Sequence, residues 1–170
     1  MCGMVHVYTG NGKGKTTAAF GLALRAVGAG KKVFVAQFAK GMKYSELNSL
    51  AEIEAITIKQ YGLESFIIDK PKKKDIEAAE QGLKESAEVL KGEEYDLVIL
   101  DEANIAVYFE LFSVESLLEI IEFRNHKIEV VVTGRYADEI LIDYADLVTE
   151  MKNIKHYYSK GIDARLGIEK

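Results

Sequence analysis

The residues Thr9-Gly10-Asn11-Gly12-Lys13-Gly14-Lys15-Thr16-Thr17 place three glycines at alternate positions and end on Gly-Lys-Thr-Thr. That spacing suits a polyphosphate. Gly10, Gly12 and Gly14 admit positive φ angles and let the backbone approach an anion closely. Successive N–H groups then converge on one concavity. A helix starting at Lys15 would add its partial positive charge. Lys15 supplies a mobile point charge, and the Thr16 hydroxyl can ligand Mg²⁺. This is the Walker A pattern, with Thr9 in place of the usual first glycine. It predicts that a nucleoside triphosphate is held and is silent about what becomes of it.

A second run, Leu97-Val98-Ile99-Leu100-Asp101-Glu102, is an apolar strand that delivers two acids at its carboxyl end. A Walker B motif would put them there. Asp101 or Glu102 can hold the metal, directly or through water. Val132-Thr133-Gly134-Arg135 ends another strand, from which Arg135 either reaches the phosphates or is a surface arginine. Arg25 lies ten residues beyond Lys15, nearly three helical turns, so spacing alone does not bring it to the loop. His6, His126 and His156 show no metal-ligand spacing.

The elements that must position these groups alternate. Strands are expected over 5–9, 33–38, 55–61, 97–100, 130–132 and 147–148. An alanine-rich helix over 15–27 ends at Gly28 and Gly30. Residues 41–50 form a loop with room for a short helix. Ile76, Ala79, Leu83, Ala87 and Leu90 recur at helical spacing and predict an amphipathic helix over 74–90. Ser113 can cap a helix carrying Val114, Leu117, Leu118 and Ile121 on one face. Lys72-Lys73-Lys74, beside the single proline Pro71, reads as a solvated lead into the helix over 74–90. Helices between continuous apolar strands indicate a parallel sheet covered on both faces. Such sheets bind ligands at the carboxyl ends of their strands.

The bulk properties narrow the class. The 170 residues suit one domain, 1–170, and 48% hydrophobic content excludes a disordered chain. A net charge of −5 with mixed signs argues against a dedicated DNA or RNA binder. Cys2 is the single cysteine, so neither an internal disulfide nor a cysteine-rich zinc site can form. No apolar run nears the roughly 20 residues of a membrane span. The N-terminal residues lack the pattern of a signal peptide. The cytoplasm is the expected location.

The segment from Gly10 through Gly21, followed by Arg25-Ala26 and Gly28, resembles the ATP:corrinoid adenosyltransferases of the P-loop type. The likeness continues through Gln37-Phe38, Lys40-Gly41, Leu100-Asp101-Glu102, Thr133-Gly134-Arg135 and Ala145-Asp146. It closes with Glu150-Met151, Lys155-His156, Gly161, Ala164 and Gly167-Ile168-Glu169. The resemblance implies an α/β, three-layer, RecA-type P-loop sheet, mostly parallel with helices on both faces. It implies transfer of the 5′-deoxyadenosyl group of ATP to the Co(I) centre of a reduced corrinoid, with release of triphosphate. It further implies a homodimer, Mg²⁺, a flavoprotein reductant, and ATP lying reversed in the loop so that its ribose faces the corrinoid. Carried over, Gly10, Asn11, Gly12, Lys13, Gly14, Lys15, Thr16 and Thr17 bind the triphosphate, with Lys13 and Lys15 neutralising it. Thr16 and Glu102 become the metal ligands. Arg25 and Arg135 become phosphate or site-closing candidates. Family members often carry a Phe and a Trp that displace the corrinoid's lower ligand. This chain has no Trp, and Phe66, followed by Ile67 and Ile68, is the surviving aromatic or a core side chain. Two other readings compete: an ATPase or kinase acting at the γ-phosphate, and a carrier that binds nucleotide or corrinoid without turnover.

Overall fold

In the computed structural model, residues 2–42, 44–63, 67 and 70–169 are described. The strands are β1 (Val5–Thr9), β2 (Val33–Phe38), β3 (Ile56–Tyr61), β4 (Leu97–Asp101), β5 (Glu129–Thr133) and β6 (Leu147–Glu150). The helices are α1 (Lys15–Gly28), α2 (Ser45–Leu50), α3 (Lys73–Lys91), α4 (Ala103–Tyr108), α5 (Val114–Glu122) and α6 (Glu139–Tyr144), with a 3₁₀ turn over Tyr157–Lys160. The strands pair in the order β3-β2-β4-β5-β1-β6, and every pairing is parallel.

Alternate side chains of a strand point to opposite faces, and the two cores follow that period. Val33, Val35, Leu97, Ile99 and Val131 pack with Ala19, Phe20, Ala23 and Ala26 of α1 and Leu50 of α2. Phe34, Ala36, Phe38, Val98, Leu100, Val130 and Val132 pack instead with α3, α5 and α6 through Ala79, Leu83, Leu117, Ile121 and Leu141. The result is three layers, as expected. Strands β2 and β4 are buried along their whole length because they are covered on both sides. The small alanines of α1 let that helix lie close to the sheet.

Local side-chain caps set the starts of α3, α5 and α6. Ser113 Oγ accepts the Ser116 N–H at 3.1 Å and starts α5. Asp75 accepts the Lys72 N–H at 2.8 Å and starts α3, leaving Lys72, Lys73 and Lys74 exposed at its entry. Strand β4 runs one residue beyond the expected end, which places Asp101 inside the sheet. The expected short helix is α2. Helices α4 and α6 have six residues each, too few to show a helical period in the sequence.

Candidate active site

The carboxyl ends of β1, β2, β4 and β5 share one edge of the sheet, and the glycine loop opens directly from β1. Gly10 and Gly14 take φ angles of 98° and 114°, which residues with a side chain rarely adopt. Gly12 is needed for a different reason. A Cβ there would lie 2.6 Å from the Met151 carbonyl oxygen. Its N–H donates to that oxygen at 2.6 Å, and Met151 N–H donates to Thr9 O at 2.8 Å. The loop is therefore stitched on one side to the chain leaving β6. On the other side Lys15 folds back, donating to Gly10 O at 2.7 Å and Gly12 O at 2.8 Å. Burial pulls the Lys15 ammonium below its ordinary pKa, Glu102 opposes this, and Arg135 and Lys40 add to it.

Asp101 is fully buried and has four donors. Its Oδ1 accepts from Thr16 Oγ1 at 2.8 Å and Thr133 Oγ1 at 2.7 Å. Its Oδ2 accepts from Lys40 Nζ at 2.9 Å and Gln37 Nε2 at 3.1 Å. Burial pushes this carboxyl up, but Lys40 and the hydroxyl donors outweigh it and hold the group below its ordinary range. Because Thr16 gives its proton to Asp101, the lone pairs of Thr16 Oγ1 are left for a cation. Glu102 departs from the strand through a left-handed turn, φ 58°, with its N–H held by Thr133 Oγ1 at 3.0 Å. That turn sends its carboxylate into the cleft, where burial raises its pKa against the pull of Lys40. Of the two acids the sequence left open, Glu102 faces the cleft and Asp101 orients Thr16 from behind.

The cleft has a volume of about 870 Å³, within the usual size range for small-molecule sites. Lys13, Gly14, Lys15, Thr16, Thr17, Glu102 and Arg135 line it, with Phe20, Leu24, Tyr44 and Leu50 forming an apolar wall. The C-terminal residues reach across its mouth. Lys13 Nζ donates to Ile168 O at 2.7 Å and pairs with Glu169 at 2.8 Å, and Tyr157 OH also donates to Glu169. Asn11 is exposed at the loop's tip. Arg25 is exposed in the last turn of α1 and is not among the residues lining the cleft. Phe66 lies outside the described residues.

Motif and spacing assign no role to Lys40, Gln37 or Thr133. A signal for them existed in the strand pairing. Strand β2 adjoins β4 with Gln37 opposite Asp101, so a lysine just past the end of β2 falls beside the acids. Ala39, at φ 52°, makes the turn that brings it there. A divalent cation fits the oxygen set of Thr16 and Glu102, since Mg²⁺ prefers hard oxygens and completes its shell from phosphates and water. Among the described residues no group of three or more His, Cys, Asp or Glu side chains could hold a metal without a nucleotide.

A loop of backbone amides after the first strand, with a lysine and a threonine at the helix start and acids two strands away, defines a P-loop nucleotide-binding protein. Comparison along the whole chain narrows that class. The chain belongs to the ATP:corrinoid adenosyltransferase BtuR/CobO/CobP family, which it matches over residues 1–169. The corrinoid adenosyltransferase of Escherichia coli K12 is 36% identical over 168 residues, covering 98% of this chain and 85% of the relative. That of Pseudomonas aeruginosa is 38% identical over 170 residues, covering 98% and 83%. Corrinoid adenosyltransferase CobA of Salmonella typhimurium is 34% identical over 167 residues, covering 98% and 85%.

Proposed function

We propose that this chain transfers the 5′-deoxyadenosyl group of ATP to the Co(I) centre of a reduced corrinoid and releases triphosphate. Family membership over 1–169 carries the reading, and the geometry of the loop supports it. The cobalt electron pair forms a bond to C5′ of the ribose. The C5′–oxygen bond breaks, and its pair leaves with triphosphate. Cobalt is the nucleophile, so no protein nucleophile is needed.

The protein's work is placement and charge. The loop amides, Lys13 and Lys15 hold the triphosphate and stabilise the negative charge that builds on it as it leaves. Thr16 and Glu102 would hold Mg²⁺, which would supply further neutralisation of that charge. Arg135 closes on the phosphates from the edge of the cleft. The apolar wall excludes water from the reduced metal. Productive attack requires cobalt about 3–3.5 Å from C5′ and in line with the leaving group. Phe66 is assigned to displacing the corrinoid's lower ligand. Residues 1–170 act as one domain in a cytoplasmic homodimer, with a flavoprotein as electron donor. No helix among the described residues is long and apolar enough to cross a membrane.

The test is an anaerobic incubation with ATP, Mg²⁺ and chemically reduced cobalamin. A light-sensitive cobalt–carbon bond and intact triphosphate are expected. ADP and phosphate would instead show attack at the γ-phosphorus, and stoichiometric binding without turnover would make the chain a carrier.

A further inference from the structure

Lys40 sits in the seat of the proposed metal. Its Nζ is 2.9 Å from Asp101 Oδ2, 3.3 Å from Thr16 Oγ1 and 3.8 Å from Glu102 Oε1. These are the side chains that prepare and supply the cation's oxygens. The ammonium is held firmly: its side chain is 14% exposed, it lies 5.5 Å from the centre of the Tyr44 ring, and the left-handed turn at Ala39 aims it inward. Two cations cannot share that space, because a single charge and a double charge a few ångströms apart repel strongly even when screened.

We propose that Lys40 is a resident placeholder cation, which fills the metal seat in the nucleotide-free protein and yields it when the metal arrives with triphosphate. The inference rests on the metal seat assigned above. Its logic is an exchange of partners. A metal arriving alone would take Thr16 and Glu102 from Lys40 and set a double charge beside an ammonium left with Asp101 as its one carboxylate partner. A metal arriving with a nucleotide brings phosphate oxygens into the cleft that Lys40 lines, so the displaced ammonium gains a new partner. Lys40 thereby couples the two ligands, and coupling between binding sites is reciprocal. Loading of free metal is suppressed, and loading of the metal–nucleotide complex is favoured.

The experiment measures Mn²⁺ binding by electron paramagnetic resonance, with and without ATP and without corrinoid. Without nucleotide, Lys40→Met is expected to bind Mn²⁺ at least about tenfold more tightly than the wild type. Lys40→Arg, which keeps the charge, should bind it weakly. The gain in Mn²⁺ affinity on adding ATP should be smaller in Lys40→Met. Mere structural damage would weaken Mn²⁺ binding, so the direction separates the two. Unchanged or weaker binding by Lys40→Met overturns the proposal. The wild type gives a second reading that needs no variant to fold. Mn²⁺ alone should raise its melting temperature far less than Mn²⁺ with ATP raises it above ATP alone, and equal rises overturn the proposal. If wild-type protein adenosylates cobalamin while these Mn²⁺ responses fail, the placeholder role falls and the function stands. The reverse pattern removes the function and leaves the coupling.

Discussion

Replacing Thr133 with valine removes one hydroxyl while nearly keeping the volume of the side chain. Thr133 is fully buried, and its hydroxyl acts twice. It donates to Asp101 Oδ1 at 2.7 Å and accepts the Glu102 N–H at 3.0 Å. Asp101 has no exposed surface through which water could replace the lost donor. A hydrogen bond to a charged group contributes about 1.5–3 kcal/mol, and a neutral one about 1 kcal/mol. The expected loss is therefore about 2–4 kcal/mol. For a chain of this length, each kcal/mol corresponds to about 2–4 °C, so melting should fall by about 5–15 °C.

Calorimetry and denaturant titration measure that loss, with Thr133→Ser as the control that restores the hydroxyl. The pH dependence adds a check on sign. The carboxyl of Asp101 is held below its ordinary range in spite of burial, by Lys40 and by the hydroxyls of Thr133 and Thr16. The stability this contributes is complete above the ordinary carboxylate pKa and is lost as pH falls through the depressed value. Removing a donor raises the folded-state pKa, so wild type and Thr133→Val should differ most at neutral pH and converge in acid. A loss under about 0.5 kcal/mol at neutral pH, within the range of an ordinary surface substitution, or a gap that widens in acid, would refute the reasoning.

Lys15→Ala should lower ATP affinity about 100-fold or more, since it removes the charge at the centre of the nest; isothermal titration showing near-normal affinity would contradict the site assignment. Gly12→Ala places a methyl group 2.6 Å from Met151 O. It should cost about 1–3 kcal/mol in a denaturant titration and weaken nucleotide binding as the loop moves; an unperturbed melt and affinity would be contrary. Glu85 accepts from Lys59, Tyr61 and Gln81, which hold its carboxyl at about 2. Its stabilisation is present above the ordinary value of 4.5 and is lost as pH falls toward about 2. The pair is partly exposed, so the effect is small and weakened by salt. Glu85→Gln should melt below the wild type at neutral pH and approach it in strong acid; a constant gap would argue against this.

The phosphate loop was legible because its chemistry is local: the three glycines, Lys15 and Thr16 lie within a few residues and follow an apolar strand. The acids were legible for the same reason, as the end of a strand. What could not be read was whatever depends on strand order. Gln37, Asp101 and Thr133 come from three strands and Lys40 from just past the end of β2, and only the pairing β2-β4-β5 makes them one cluster. The division of work between Asp101 and Glu102 turns on one left-handed residue, which a glutamate does not announce. The contact of Gly12 with Met151 joins residues far apart in sequence, through the edge strand β6.

The charges of the cleft explain why a polyphosphate is the fitting ligand. Lys13, Lys15, Lys40 and Arg135 line it together with Glu46, Glu102 and Glu169, and Asp101 lies just behind. The cations are nearly balanced, so a triphosphate does not enter a strongly positive hole. Three of them also have partners within the protein: Lys13 with Glu169, Lys15 with the carbonyls of Gly10 and Gly12, and Lys40 with Asp101. Binding is then an exchange of partners, and the net gain from each exchanged bond is small. On the proposed function, a triphosphate with its divalent cation offers oxygens to these lysines, and the metal takes up the charge of Glu102. On that same function, discrimination for a metal–triphosphate comes from these pairings within the protein.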